Sequence, residues 1–262
     1  MRICLMIEGQ EGVSWEQWVA LAHAAEDAGL EGLFRSDHYR SIGRGDPAGS
    51  LDAWATLAGL AAVTKRIRLG TLVSPVTFRR APVLAKVVTT VDHISNGRVE
   101  LGLGAGWFES EHQAYGFAFP PQRERLDELD RQLAEIVRQW TEADDIWPKP
   151  VQKPHPPIIV GGSAKPRTVR AAVAWADEYN TVWPTVDEAR ERKARLDEAA
   201  AAAGRDPLRF SIMIKVEGSL DELEERLRAY EAVGVDRAML QHLEHEDLEL
   251  VAALGELAAR LT

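Results

Sequence analysis

The sequence predicts an α/β fold in which eight parallel strands alternate with helices and close into a single (β/α)8 barrel. Two observations predict it. The chain has 262 residues, close to the length of about 250 residues typical of this architecture, and short β-rich runs alternate with longer helical patterns along it. Because repeated strand–helix–strand units force parallel pairing with right-handed crossovers, eight such units favour a closed barrel. The alternative is an open doubly wound sheet.

The first half of the chain supplies four strand–helix units. The first helix is delimited by Ser14, a favourable capping residue, and by Gly29, while the fourth carries apolar residues at helical spacing from Leu126 to Val137. The predicted strands are Arg2–Ile7, Gly32–Arg35, Ile67–Val73 and Val99–Leu103, and the later helices are Leu51–Val63, Pro82–Ile94 and Glu124–Trp140.

The second half supplies the other four units, and Gly204 and Gly234 end two of its helices. Its predicted strands are Ile158–Val160, Glu178–Val182, Phe210–Val216 and Arg237–Leu240, and its helices are Arg167–Trp175, Val186–Ala203, Leu220–Val233 and Leu248–Leu261. Two connections are longer than turns: His38–Ser50 and Thr141–Pro157, the second held extended by its prolines. We expect one TIM-barrel domain over residues 1–262.

The charge and the cysteine content restrict the class of protein. There are 41 acidic and 31 basic residues, a formal net charge of −10, which repels phosphodiester backbones; nucleic acid is therefore not an expected partner. A lone cysteine, Cys4, indicates a reducing compartment and is expected to be a buried apolar side chain. No stretch approaches the roughly 18 apolar residues of a membrane span, and the run Ile3–Ile7 is too short for a secretory signal. We expect a cytoplasmic protein without membrane contact.

In a barrel of this kind the active site lies at the carboxyl ends of the strands, which reduces the candidates to a few segments. Gly161-Gly162-Ser163, after the fifth predicted strand, is the most informative. Its glycines let the backbone approach a ligand, and the N–H groups that begin the next helix can bind an anion, with added positive charge from Lys165 and Arg167. The segment predicts a phosphate site; an ordinary glycine-rich connection is the alternative.

Asp37 and His38, at the end of the second predicted strand, are the best titratable pair of the rim. Histidine can transfer protons near neutral pH, whereas a structural contact that caps the following loop is the alternative. No metal is expected, because the seven histidines lack ligand spacing and Glu111-His112 lacks the arrangement that zinc enzymes use. Lys215 is interpreted as a solvated or anion-binding residue rather than as a Schiff-base lysine.

The segment Gly102-Leu103-Gly104-Ala105-Gly106 follows the fourth predicted strand. It lacks the acidic residue and the βαβ context of a dinucleotide fingerprint. Its glycines are better explained by the space that a flat ligand needs. Trp107 and Phe108 would then form aromatic walls, unless they belong to the core.

Together these segments resemble the bacterial luciferase-like monooxygenase family and, within it, the oxidoreductases that use the deazaflavin coenzyme F420. The resemblance covers nearly the whole chain and depends on the order and spacing of several motifs. They are Ser36-Asp37-His38-Tyr39, the segment LGTLVSP at 69–75, Ser95-Asn96-Gly97-Arg98-Val99, the segment LGAGW at 103–107 with Glu111-His112 and Tyr115-Gly116-Phe117, the segment PHPPI at 154–158 leading into Gly161-Gly162-Ser163, and the segment WADEYN at 175–180.

The resemblance implies that a flavin-like ring occupies the barrel mouth, with Asp37 and His38 near its reactive edge and His38 as the proton relay. It also implies a non-proline cis peptide at about Leu72–Val73, which would back the ring. The cofactor-binding residues that it implies are Asp37, Leu72, Val73, Ser74, Ala105, Gly106 and Trp107 around the ring, and Gly161, Gly162 and Ser163 at the phosphate.

The sequence departs from one branch of that family. Its sugar-phosphate dehydrogenases carry a glutamate proton donor directly after the glycine pair of the fourth strand, where this chain has Trp107, and Glu109 lies two residues further on. The tryptophan that follows Asp-His in those enzymes is also missing, because Ser41-Ile42-Gly43 occupies the stretch. A sugar-phosphate substrate is therefore not expected.

Three functional hypotheses follow. The preferred one is an oxidoreductase that transfers a hydride between coenzyme F420 and a small organic substrate. The second is an FMN-dependent monooxygenase that uses dioxygen, since both cofactors end in a similar phosphorylated ribityl chain. The third is a non-catalytic flavin-binding barrel. Members of the family commonly form homodimers, and we expect one here.

Overall fold

The computed structural model describes residues 1–43 and 49–261. In this part of the chain there are nine strands and nine helices. The strands are β1 (Arg2–Ile7), β2 (Gly32–Arg35), β3 (Arg68–Thr71), β4 (Ser74–Pro75), β5 (Val99–Gly104), β6 (Ile158–Gly161), β7 (Glu178–Val182), β8 (Arg209–Lys215) and β9 (Arg237–His242). The helices are α1 (Trp15–Asp27), α2 (Ala53–Val63), α3 (Ala81–Ser95), α4 (Glu109–Tyr115), α5 (Gln122–Thr141), α6 (Pro166–Trp175), α7 (Val186–Ala202), α8 (Leu220–Glu231) and α9 (Leu248–Leu261).

All the strands pair in parallel and form one closed barrel. The order is β3-β2-β1-β9-β8-β7-β6-β5-β4, and a further pairing of β3 with β5 closes the sheet. Because β3 and β4 share one position, the barrel has eight strand positions separated by helices. The predicted (β/α)8 TIM barrel is confirmed. Within the described residues, no helix combines the length and the apolar character needed to cross a membrane.

Two elements differ from those that the sequence predicts. The third predicted strand, Ile67–Val73, is interrupted by a cis peptide bond between Leu72 and Val73, as the family resemblance implies, and pairing resumes at Ser74. The short helix α4 was not predicted. It has only seven residues and no side-chain cap at its start, although Gly116 ends it in the left-handed conformation at φ 73°. Short helices without a cap leave little signal in a sequence.

Helices α1, α7 and α8 begin where the sequence offers capping side chains. Ser14 caps α1 as predicted: its Oγ accepts the N–H of Gln17 at 3.2 Å, and the Gln17 side chain accepts the Ser14 N–H at 2.9 Å. Thr185 and Ser219 cap α7 and α8 in the same reciprocal way. Each pair satisfies N–H groups that the helix itself leaves without partners.

The barrel interior is charged at its amino-terminal end and apolar above it. Arg237 on β9 donates to Glu100 on β5 at 2.8 Å and lies 3.3 Å from Glu178 on β7. These strands alternate around the barrel, as expected for side chains of one interior layer. Above them, Phe34 occupies space left by Gly70, where a Cβ would lie 2.6 Å from the phenyl ring. The buried apolar interior consists of Cys4, Met6, Phe34, Leu72, Ile159, Met213 and Met239.

Of the two long predicted connections, the second is described in full and the first only in part. Residues 44–48 of the predicted His38–Ser50 loop fall outside the described residues, as does residue 262. The proline-rich Thr141–Pro157 connection is fixed to α3, because the Asp92 carboxylate accepts the N–H groups of Val151 at 2.6 Å and Gln152 at 3.0 Å.

Candidate functional site

A cavity of about 800 Å³ opens at the carboxyl ends of the barrel strands. This is the end at which barrels of this class carry their active sites. Every strand position contributes to it: in barrel order, Glu8, Ser36, Val73, Gly106, Gly161, Asn180, Lys215 and Gln241 line its wall. The cavity is therefore the candidate functional site that the strand assignment predicts.

His38 lines this cavity and is held by a buried carboxylate. Its Nδ1 lies 2.8 Å from Oε1 of Glu111, whose other oxygen accepts the N–H of Tyr39 at 3.0 Å. The Glu111 side chain is 1% exposed, and the imidazole meets the rings of Trp107 and Phe108 edge to face. An ionised carboxylate accepts hydrogen bonds only, so Nδ1 carries the proton in this pair. Nε2 is then the ring nitrogen left for a ligand.

Glu111 lies in the unpredicted helix α4, which brings it to His38 across 73 residues of sequence. In the sequence, Glu111-His112 is a family motif and an unsuitable pair of zinc ligands. The contact between Glu111 and His38 was not predicted. His112 is separate from the cavity wall, since its ring nitrogens contact the Thr77 hydroxyl at 2.6 Å and the Phe108 carbonyl at 2.8 Å. The contact between His38 and Glu111 could not be predicted from the spacing of residues, because the two lie far apart in the sequence.

The structure does not bring Asp37 to the cavity together with His38. The Asp37 carboxylate is 2% exposed and accepts hydrogen bonds from Ser74 Oγ and Arg79 Nη1, both at 2.6 Å. Arg79 also pairs with Asp52. Burial opposes the charge of Arg79, but the two carboxylates outweigh it and raise its pKa. Asp37 is thus part of a buried ion pair behind the cavity wall.

Leu72 and Val73 line the cavity, while Ser74 is buried behind them. Ser74 accepts the indole N–H of Trp54 at 3.0 Å in addition to bonding Asp37. The Val73 side chain lies over Gly104, where a Cβ would approach it to 2.6 Å. The glycine of β5 therefore provides the space in which Val73 forms the floor of the cavity.

At the end of β5, Gly106 and Trp107 line the cavity and Ala105 is half-buried beside them. The Trp107 ring is 5.7 Å from the His38 ring and is largely exposed, so its assignment to a wall rather than to the core is supported. Glu109 is exposed at the start of α4 and accepts a bond from Gln113 at 3.1 Å. It is not part of the cavity wall.

The turn after β6 contains the predicted phosphate site. Gly161 and Gly162 line the cavity, whereas Ser163 is exposed beside it. Two N–H groups of the turn are already used: that of Gly162 bonds the Asn180 carbonyl at 3.0 Å, and that of Ala164 bonds the Tyr179 hydroxyl at 2.9 Å.

The positive charge near this turn is smaller than the sequence suggests. Arg167 pairs with Asp127 at 2.5 Å and with Asp130 at 3.5 Å. Among the described residues, the side chains of Ser163 and Lys165 have no hydrogen-bond partner. Together with the first-turn N–H groups of α6, they are what the turn offers to an anion.

Sequence reasoning missed the polar wall supplied by the ends of β1 and β9. Glu8 accepts bonds from Gln10 at 2.9 Å and from Gln241 at 2.5 Å, and all three line the cavity. Glu11 accepts hydrogen bonds from Ser41 Oγ and from the N–H groups of Ile42 and Gly43. Within the described chain, Gln241 Oε1 is a buried acceptor without a hydrogen-bond partner.

Lys215, at the end of β8, also lines the cavity. The Lys215 ammonium is exposed and lies 5.2 Å from the ring centroid of Trp183, which also lines the cavity. Within residues 1–43 and 49–261, no group of three or more His, Cys, Asp or Glu side chains is placed to hold a metal ion.

Residues 2–260 match the family model described as luciferase-like monooxygenase. An uncharacterised protein of Mycobacterium tuberculosis is 32% identical over 226 residues, which are 81% of this chain and 77% of that protein. An F420-dependent glucose-6-phosphate dehydrogenase of Amycolatopsis mediterranei is 36% identical over 124 residues, 47% of this chain and 37% of that enzyme.

The fold is shared with a solved FMN-bound enzyme. The oxygenating constituent of 3,6-diketocamphane monooxygenase from Pseudomonas putida superposes with a TM-score of 0.81 over 99% of this chain and 98% of that one, at 15% identity. Relatives and structural neighbours thus include both F420-dependent and FMN-containing enzymes. Because the family model matches nearly the whole chain, this protein belongs to the luciferase-like monooxygenase family.

Proposed function

We propose that this protein is an oxidoreductase that transfers a hydride between the deazaflavin coenzyme F420 and a small organic substrate. The observation that carries the proposal is His38, held through Nδ1 by the buried Glu111 at the wall of a large cavity. The F420-dependent relative, which is more than a third identical over the aligned residues, supports the choice of cofactor.

The residues of the cavity fit a flavin-like group. A volume of about 800 Å³ accommodates a tricyclic ring with a substrate beside it. Val73 forms an apolar floor, and Gly106 and Gly161 leave space that a Cβ would fill. The unpartnered Oε1 of Gln241 can accept an N–H of the ring. A phosphate would meet Ser163, Lys165 and the N–H groups at the start of α6.

When bound, the deazaflavin would supply or accept the hydride. The remaining chemistry is that of His38. With its Nδ1 proton donated to Glu111, the neutral imidazole presents Nε2 as the base that takes the hydroxyl proton of an alcohol as the alcohol loses its hydride. In the reverse direction the protonated imidazole returns that proton to the carbonyl oxygen.

A titration of the purified protein with F420 and with FMN tests the proposal. We expect F420 to bind with a micromolar or lower Kd and the His38→Ala variant to retain that Kd while turnover falls by about 10²–10⁴-fold. The alternative is an FMN-dependent monooxygenase, favoured by the structural match to the FMN complex. Binding of FMN only, with oxygen consumption by the reduced flavin, would overturn the F420 assignment.

A further inference from the structure

Apolar side chains that are unusually exposed surround the mouth of the cavity. They are Ile42, Trp107, Val182, Trp183 and Leu243, and all five line it while 39% to 63% of each residue's surface is open to solvent. Exposed apolar surface that is concentrated at one opening is characteristic of a ligand-binding site. We call these residues the apolar rim.

The apolar rim follows the symmetry of the barrel. Ile42 lies after β2, Trp107 after β5, Val182 and Trp183 at the end of β7, and Leu243 after β9. In the order of the barrel these are alternate strand positions. The rim residues are therefore distributed around the whole mouth instead of forming a patch on one side, so a molecule that enters must pass between them.

Trp183 is held in place by its surroundings. Its backbone has a φ of 45°, a conformation that bulky residues rarely adopt. The Trp183 N–H donates to the Met213 carbonyl at 2.8 Å, and the indole ring lies against the Lys215 ammonium. Residues kept in such conformations cluster at ligand sites, where the surrounding structure imposes them. This side of the rim is thus preformed.

Three of the four carboxylates that line the cavity are already engaged with the protein, and the fourth, Glu244, is exposed to solvent. The oxygens of Glu8 and Glu11 accept hydrogen bonds from neighbouring side chains and N–H groups, and Glu111 holds His38. A cationic substrate would have to displace the donors of these three carboxylates or pair with the solvated Glu244, and an anionic one would face four carboxylates. Lys215, which contacts Trp183, is the opposing charge.

We propose that the substrate is a neutral, predominantly apolar organic molecule whose body is held by the apolar rim and whose single oxygen function reaches His38. This inference rests on the proposed function, because the rim is assigned to the substrate and the deeper part of the cavity, over Val73, to the cofactor. Burial of apolar surface between the rim residues would provide the binding free energy, and His38 the orientation.

Three probes of one shape but different charge test the proposal: naphthylmethanol, naphthoate and naphthylmethylammonium. Their Kd values are measured by isothermal titration calorimetry, with and without a saturating flavin cofactor. We expect naphthylmethanol to bind at least about tenfold more tightly than either ion, because each ion must lose its hydration to enter between the apolar rim residues. Equal or tighter binding of either ion would overturn the proposal.

A variant of the apolar rim tests whether the substrate binds there. The double substitution Val182→Thr with Leu243→Asn should raise the Kd of naphthylmethanol by about tenfold, whereas Val83→Thr, an exposed apolar position on α3, should leave it unchanged. An unaltered Kd in the rim variant would contradict the assignment. If the wild-type protein binds neither F420 nor FMN, the proposed function fails, while the order of the three probes still decides the substrate class.

Discussion

At the scale of single residues, the site depends on how Glu111 holds His38. One carboxylate oxygen faces Nδ1 of the imidazole and the other accepts the Tyr39 N–H, so both oxygens of Glu111 are acceptors. This arrangement fixes which ring nitrogen of His38 carries the proton. The identity of residue 111, and not its size alone, therefore determines what His38 can do.

Replacement of Glu111 by Gln should reverse that tautomer. If the amide oxygen of Gln keeps the Tyr39 N–H, its NH2 group donates to Nδ1 of His38, and the proton moves to Nε2. We expect turnover to fall by about 10- to 100-fold with the cofactor Kd unchanged, and the ¹⁵N shifts of the His38 ring to report the other tautomer. Glu109→Gln, on the exposed side of α4, is the control. Unchanged ring shifts in Glu111→Gln would contradict this role.

His242, at the end of β9, predicts a pH dependence of stability. It is 2% exposed, and burial lowers its pKa below the usual value of 6.5. Since the folded state disfavours the protonated form, stability is complete above pH 6.5 and decreases as the pH falls through the lowered pKa. Urea denaturation at about pH 7.5 and about pH 5 should show a smaller loss for His242→Phe than for the wild type, and no such difference for the exposed His23→Phe.

At the scale of elements, side chains that join helix ends to strand starts hold the framework under the site. Arg98 lies just before β5 and donates to five acceptors. Four of them lie between the end of α2 and the start of β3, and one lies at the end of α3. They are the carbonyls of Ser95, Ala61, Thr64 and Ile67 and the hydroxyl of Thr64, at 2.8 to 3.0 Å. One side chain thereby fixes the approach to two neighbouring strands.

Arg98→Ala should therefore destabilise the protein well beyond the loss of a surface charge. Because several buried or half-buried carbonyls lose their donor, we expect the free energy of unfolding to fall by about 2–4 kcal/mol. Arg138→Ala removes an exposed pair with Glu135 one turn away and should have little effect. Chemical denaturation of both variants gives the comparison, and similar values for the two would refute the prediction.

At the scale of the whole molecule, the buried charges at the amino-terminal end connect strands that are not neighbours. Arg237 contacts Glu100 and Glu178 across the barrel interior, and also lies 3.3 Å from Glu31. Burial raises the pKa of Glu178, and the charge of Arg237 opposes that rise. Arg68 also pairs with Glu100 and Arg209 with Glu178, but both arginines are partly exposed, so Arg237 is the fully buried cation that compensates these carboxylates.

Arg237→Met should lower the free energy of unfolding by about 3–5 kcal/mol, because it removes the fully buried cation and leaves Glu100 and Glu178 only the partly exposed Arg68 and Arg209 as partners. Arg2→Met, which loses a half-exposed pair with Glu31 at the same end of the barrel, serves as the control. Guanidinium denaturation monitored by far-UV circular dichroism measures both. A loss in Arg237→Met no larger than in the control would show that the cluster does not support the barrel.

Much of this architecture could be predicted from the chain. Strand bounds such as Arg2–Ile7 and Glu178–Val182 agree with the structure, because apolar runs and glycine or proline punctuation are local signals. The interruption of the third strand followed from the family resemblance and not from periodicity, which sees a continuous apolar run. The homodimer stays a prediction.

The sequence by itself determined the barrel, the end at which its site lies, and His38 and the glycines of that site, since these depend on local patterns and on strand order. Only the tertiary structure decided the partners. It paired His38 with Glu111 and Asp37 with Arg79, engaged Arg167 with acidic side chains of α5, and gathered the apolar rim from four separate loops. The physical reason is that hydrogen bonds and ion pairs depend on distances in space, which sequence spacing does not encode.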